Sequence, residues 1–161
     1  MTTSFFTYEK PKVIQALRYH FVTRKEIRIL IVVVNIFAIA SAALFFFKKI
    51  QPTAFMVGSL LWFVLMISFW FILPYSIYKR SKTFLDRFRA TLGDRFTLES
   101  ERGAKSWEWE AFSSYIESPH FFHLYFTPTS FFLVPKTAFE GDQLTEAREI
   151  LKRNIIKENR K

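Results

Sequence analysis

From Ile29 to Phe47 the chain carries no charged residue, and from Ala54 to Ile77 it again carries none. Each run is close to the roughly 20 residues that a helix needs to cross about 30 Å of hydrocarbon. A helix buried in a soluble domain is seldom apolar on every face for so long. Two such runs in succession therefore predict transmembrane spans at about 28–47 and 54–77. Trp62 and Trp70 fall inside the second run, and Tyr75 and Tyr78 stand at its exit. Ala40-Ser41-Ala42 has the small-x-small look of a signal-peptide cleavage site. The long region before the first run, and the continuation of that run through Leu44 to Phe47, argue against cleavage.

Only Lys48-Lys49-Ile50-Gln51-Pro52-Thr53 joins the runs, so they are expected to form an antiparallel hairpin over 27–78 with both flanks on one side. Basic residues near span ends favour the cytoplasmic face. The flanks supply Arg18, Arg24, Lys25, Arg28, Lys79, Arg80, Lys82, Arg87 and Arg89, against Lys48 and Lys49 in the link. Both termini are thus expected to be cytoplasmic. Ala38, Ala42 and Gly58 would let the helices approach closely. Asn35, the one strongly polar side chain in the spans, is expected to hydrogen-bond across the hairpin or to a second copy. A transport site would need an ionisable partner there, and the spans hold none.

The remaining composition excludes several chemistries. With no Cys there are no disulfides, thiolate metal sites or Cys nucleophiles, and four Gly leave no glycine-rich phosphate loop. The net charge of +9 is concentrated beside the apolar runs, whereas residues 94–141 hold four Lys/Arg against seven Asp/Glu. Such a pattern suits membrane anchoring, and nucleic acid is not an expected partner.

Outside the spans, four further segments are distinguishable. In residues 1–26, Pro11 suits a helix start, and Val13, Ile14, Leu17, Phe21 and Val22 recur at helical spacing. An amphipathic helix on the membrane surface and one packed on its own domain both fit. Residues 79–93 read as a basic juxtamembrane helix, with Phe84, Leu85, Phe88 and Leu92 on one stripe and Gly93-Asp94 as its end. Residues 94–139 read as five short antiparallel strands: around Phe96–Leu98, Ser106–Glu110, Phe112–Glu117, Phe121–Phe126 and Ser130–Val134. Glu101 to Lys105 forms the first loop, and Trp107 and Trp109 share one strand face. Residues 142–159 close the chain as a helix whose apolar side holds Leu144, Ala147, Ile150, Leu151, Ile155 and Ile156. Lys152, Arg153 and Lys157 lie near its C-terminal end, where the helix dipole favours cations.

No residue cluster outlines a catalytic, metal or cofactor site. His120 and His123 are three apart but follow Pro119 in a strand pattern, which does not suit a metal pair. Ser113 or Ser114 with His123 lacks a nucleophile turn and an orienting acid, and Glu108 with Glu110 fits a solvated strand face. An enzyme is not expected.

Three stretches resemble the YcxB-like family of bacterial membrane proteins: Trp107–Glu117, Phe121–Phe126, and the Phe132–Phe139 run with its Pro135-Lys136-x-x-Phe139 corner. In that corner Pro135 would end the strand, Lys136 would point to solvent and Phe139 would tuck under the closing helix. The resemblance implies that 94–161 is a small PH/GRAM-like antiparallel meander with a C-terminal helix, giving a membrane α+β protein. Such a domain needs more strands than five, and Ser4 to Tyr8 are expected to supply the missing pairing. The resemblance implies little about activity. The favoured expectation is a regulatory or scaffolding protein of the bacterial inner membrane whose cytoplasmic domain binds a protein partner or anionic lipid. Trp107, Trp109, Phe121, His123 and Tyr125 are the expected partner contacts. Lys79, Arg80, Lys82, Arg87 and Arg89 are the expected headgroup contacts. An immunity protein neutralising a membrane-acting toxin is the first alternative. An oligomeric transporter component is the second, since two spans cannot enclose a pore alone, and a homo-oligomer stays open.

Overall fold

The computed structural model describes residues 1–155, which fall into two compact units. One is Val13–Ser81; the other joins Met1–Lys12 to the chain from Lys82 onward.

The first unit is helical. Helix α1 (Lys10–Thr23) has Pro11 in its opening turn, where a missing N–H leaves no broken bond. Its buried residues are Val13, Ala16, Leu17 and His20, so the buried side is rotated from the expected stripe and leaves Val22 exposed. Burial, then the neighbouring charge of Arg24, pushes the His20 imidazole down to about 4, so it is neutral at pH 7.

Helices α2 (Lys25–Phe46) and α3 (Pro52–Ile67) form the expected hairpin. Its antiparallel register shows in the contacts: the Phe45 and Phe55 rings stack at 4.5 Å, and the Trp62 indole donates to Asn35 Oδ1 at 3.3 Å. Asn35 gives its own amide to the Ile31 carbonyl at 2.7 Å, so the polar side chain is satisfied within the hairpin, as anticipated. Lys48 turns the link with a left-handed φ of 56°, and Pro52 opens α3.

Beyond Ile67 the chain passes through a π-helical segment, Ser68–Ile72, into α4 (Leu73–Arg80). Pro74 is the local cause of the irregularity, because it has no N–H to give to the Trp70 carbonyl four residues earlier. Arg18 Nε donates to that carbonyl at 2.7 Å, and its guanidinium lies 5.1 Å from the Phe71 ring centre. Lys25–Phe46 and Pro52–Arg80 are both long and apolar enough to cross a membrane. Large apolar side chains stand exposed along them, including Phe37 (67 %) and Ile39 (70 %).

The second unit contains, among the described residues, two antiparallel three-stranded sheets and a helix. Strands β1 (Phe88–Leu92), β2 (Phe96–Ser100) and β3 (Gly103–Trp107) form one sheet. Strands β4 (Ser114–Glu117), β5 (Phe121–Thr127) and β6 (Ser130–Pro135) form the other, and α5 (Gln143–Asn154) follows. The expected helix over 79–93 is corrected: it stops at Arg80, makes a 3₁₀ turn at Lys82–Leu85, and becomes β1. Phe88 and Leu92 lie four apart and so satisfy helical and strand periodicity alike. Pairing of β1 with β2 buries Phe88, Ala90 and Leu92 on one face and decides for the strand.

Two further boundaries move. The loop expected at Glu101–Lys105 shrinks to Glu101-Arg102, because Gly103 takes a φ of 134° and begins β3 at once. The strand expected at Ser106–Glu110 ends at Trp107. Trp109 sits in a 3₁₀ turn (Trp109–Ala111), so the two indoles do not share a strand face. The Trp109 indole donates to the Gly93 carbonyl at 3.0 Å, and its ring meets Phe96 and Phe112. That turn splits the anticipated single meander into two sheets. The closing helix ends at Asn154, with Ala147, Leu151 and Ile155 buried; its expected continuation through Ile156 and Lys157 lies outside the described residues.

The N-terminal segment completes this unit. Thr2 and Phe6 bridge Thr91 and Phe88 on the edge of β1, and Phe6 and Phe88 exchange backbone hydrogen bonds of 2.7 and 3.0 Å. Ser4 turns aside to the Ala138 carbonyl. Tyr8 enters the core, its ring meeting Phe6, Phe84, Phe88, Phe121 and Phe132 and its hydroxyl donating to the Leu133 carbonyl at 2.7 Å. The two sheets meet through Phe132, whose ring contacts Phe88 at 5.7 Å and Phe96 at 6.3 Å.

Tyr8→Phe should keep the ring packing and lose about 1–2 kcal/mol, because the Leu133 carbonyl loses its buried donor. Phe96→Ala should cost about 3–5 kcal/mol by opening a cavity between the sheets. Thermal unfolding in detergent, followed by near-UV circular dichroism, measures both; equal, negligible shifts would contradict this core.

Candidate functional site

Two sets of side chains were candidates for contact with a partner, and the structure treats them differently. Of the aromatic set, Trp109, Phe121, His123 and Tyr125 are buried and Trp107 is half-buried. Phe121 stacks on Tyr8 with ring centres 6.4 Å apart. His123 and Tyr125 lie on one face of β5 and both pack on Phe131, at 5.7 and 5.2 Å. Trp107 is held between Phe96 and Phe126, with Lys105 Nζ 5.1 Å from its ring centre. An exposed aromatic contact face is therefore corrected to a packed aromatic interior. Aromatic side chains stand on both faces of β5, and both faces are covered within the fold.

The basic set stays largely outside. Lys79 and Arg80 are exposed at the end of α4, and Lys82 and Arg87 are exposed in the β unit. Arg89 is different: its guanidinium donates through Nε and Nη2 to Glu99 Oε2 across the β1–β2 pair and covers the Phe5 ring. Its charge is matched within the fold, so Arg89 drops out of the headgroup set.

Ser113 and Glu108 are engaged structurally. The Ser113 hydroxyl donates to the Tyr125 carbonyl at 3.2 Å, and Glu108 pairs with Arg95 at 2.9 Å. Among the described residues no group of three or more His, Asp or Glu could hold a metal ion. A groove of about 360 Å³ in the helical hairpin is lined by Asn35, Ala38, Ser41, Ala42, Gly58 and Trp62, among others, and its walls are overwhelmingly apolar.

One ionic cluster escaped the sequence reading. Glu117, at the end of β4, accepts from Lys136 Nζ at 2.6 Å and from Arg148 Nε and Nη2 at 3.0 and 2.9 Å. Lys136 does not point to solvent as expected; its side chain is 17 % exposed, and the ammonium also lies over the Phe122 ring. Phe139 is buried, with its ring against that of Phe122 on β5. The cluster ties β4, the Pro135–Phe139 corner and α5 together. Partial burial alone would raise the Glu117 carboxyl, but the hydrogen bonds and charges of Arg148 and Lys136 outweigh it and hold the group below its ordinary value.

A carboxyl depressed in the folded state contributes stability above its unfolded pKa and loses it as pH falls through the folded value. Acidification below the ordinary carboxylate range should therefore loosen α5 from β4. Glu117→Gln should be less stable than wild type at pH 7, and the difference should shrink toward pH 3. A difference that stays constant across that range would show that the carboxylate charge contributes nothing.

No curated protein and no solved structure matches the chain. Residues 92–151, from the last position of β1 into α5, match the family described as YcxB-like protein, so both sheets and the helix that follows contribute to a YcxB-like domain.

Proposed function

We propose that the protein is a non-enzymatic integral protein of the bacterial inner membrane, in which two spans anchor a YcxB-like domain that serves a regulatory or scaffolding role. One observation carries this reading: α2 and the Pro52–Arg80 helix present large apolar side chains outward over 29–46 and 56–75. Water would not tolerate so extensive an apolar surface, whereas hydrocarbon is its natural solvent. The composite β unit supports the topology. Its two parts, Met1–Lys12 and the chain from Lys82, lie on either side of the hairpin in sequence and fold together, so both flanks belong on one side of the bilayer. The excess of basic residues on those flanks makes that side cytoplasmic. Two small antiparallel sheets followed by a helix, with an N-terminal segment bridged to β1, support the PH/GRAM-like comparison. Burial of four of the five aromatic candidates weakens the protein-partner version, and the exposed basic groups favour an anionic lipid surface.

Because the chain has no Cys, single thiols report topology cleanly. The protein should remain in the membrane fraction after carbonate washing. An impermeant maleimide added to intact spheroplasts should label Lys49→Cys and spare Glu149→Cys. Release by carbonate would end the spanning reading; the opposite labelling pattern would reverse the orientation.

A further inference from the structure

The 3₁₀ turn Lys82–Leu85 divides two neighbouring apolar side chains. Phe84 turns inward, its ring 5.3 Å from that of Tyr8, while Leu85 is 79 % exposed. Among the described residues of the β unit, the large apolar side chains left exposed are Leu85 and Phe5, the latter 45 % exposed. A lone exposed leucine means little by itself. This one has a distinctive setting. Lys82 and Arg87 flank it, exposed and with no carboxylate partner among the described residues. Asp86, the one acid in the segment, is matched by Arg102 at 3.1 Å. Arg87 also lies over the Phe5 ring at 5.0 Å, which joins the second exposed apolar group to the same basic segment. Leu85 follows Arg80, the last residue of the second long helix, by five positions, so the chain holds it within about 18 Å of that helix end.

We propose that Leu85 and the cations Lys82 and Arg87 form a docking surface for an anionic bilayer, with Leu85 entering the interfacial layer and the cations engaging lipid phosphates. Apolar insertion combined with unmatched positive charge is the chemistry that recognises such a surface. The inference rests on the reading of the two long helices as spans. It goes beyond that reading by fixing the β unit to the lipid surface through a second, non-spanning contact.

The test uses the full chain reconstituted in vesicles. Thr83→Cys provides a single exposed thiol beside Leu85 and leaves Leu85 in place. A fluorophore there should be quenched by nitroxide lipids labelled near the headgroup in mixed phosphatidylcholine and phosphatidylglycerol vesicles. Quenching should weaken in phosphatidylcholine alone and in Leu85→Asp. The docked-to-free ratio should fall roughly fivefold for each of Lys82→Gln and Arg87→Gln. Quenching that ignores both Leu85→Asp and lipid charge would overturn the proposal. Phe37→Cys separates the two levels: quenching by mid-chain nitroxides supports the spans on their own, and its absence would sink the spanning reading and the docking surface together.

Discussion

The packing of Tyr8 into the β unit constrains everything else in the chain. Its ring touches aromatic side chains from both sheets, and its hydroxyl is the donor for the Leu133 carbonyl inside the core. Burial pushes the phenol well above its ordinary value, so it remains a donor at any working pH. Yet Tyr8 is separated from the strands it completes by the whole of the helical unit. The chain must therefore leave the β unit, run through two long apolar helices and return. A hairpin satisfies that requirement; a single long helix would carry the returning segment away from Tyr8. The composite unit and the even number of long helices are two expressions of one condition.

The helical unit meets a different condition, that of disposing of polar groups on apolar helices. Asn35 spends both its functions inside the hairpin, on the Ile31 carbonyl and the Trp62 indole. Pro74 withdraws a donor from the ladder, and Arg18 of α1 donates to the Trp70 carbonyl left behind. In a hydrocarbon setting a carbonyl without a donor costs several kcal/mol, so each of these bonds would matter more there than in water.

What the sequence makes legible follows from how unambiguous each periodicity is. The two apolar runs are long enough to mark helices, the stripe of α5 marks its buried side, and the structure follows both. Phe84, Leu85, Phe88 and Leu92 admit two interpretations, since positions four apart serve a helix and a strand equally; only pairing with β2 settles the matter. Trp109 alternates with Trp107 in sequence, but a hydrogen bond to Gly93, remote along the chain, draws it into a turn. The Glu117–Lys136–Arg148 cluster joins three separate elements, and no spacing rule links such distant charges. Burial of the aromatic candidates depends on side chains from other elements, Tyr8 on Phe121 and Phe131 on Tyr125, and no pattern within β5 shows those contacts.

The central claim is that the first residues of the chain belong to the β unit. The Thr2 and Thr91 hydroxyls lie 3.1 Å apart across an antiparallel bridge, and the chain contains no other thiol once both are changed to Cys. In native membranes, mild oxidation of Thr2→Cys/Thr91→Cys should form an intramolecular disulfide, read by mass spectrometry as one linked pair of tryptic peptides. Near-complete linkage at low protein density is the result this account predicts. Two free thiols under the same oxidation, or linkage only between separate chains, would contradict it.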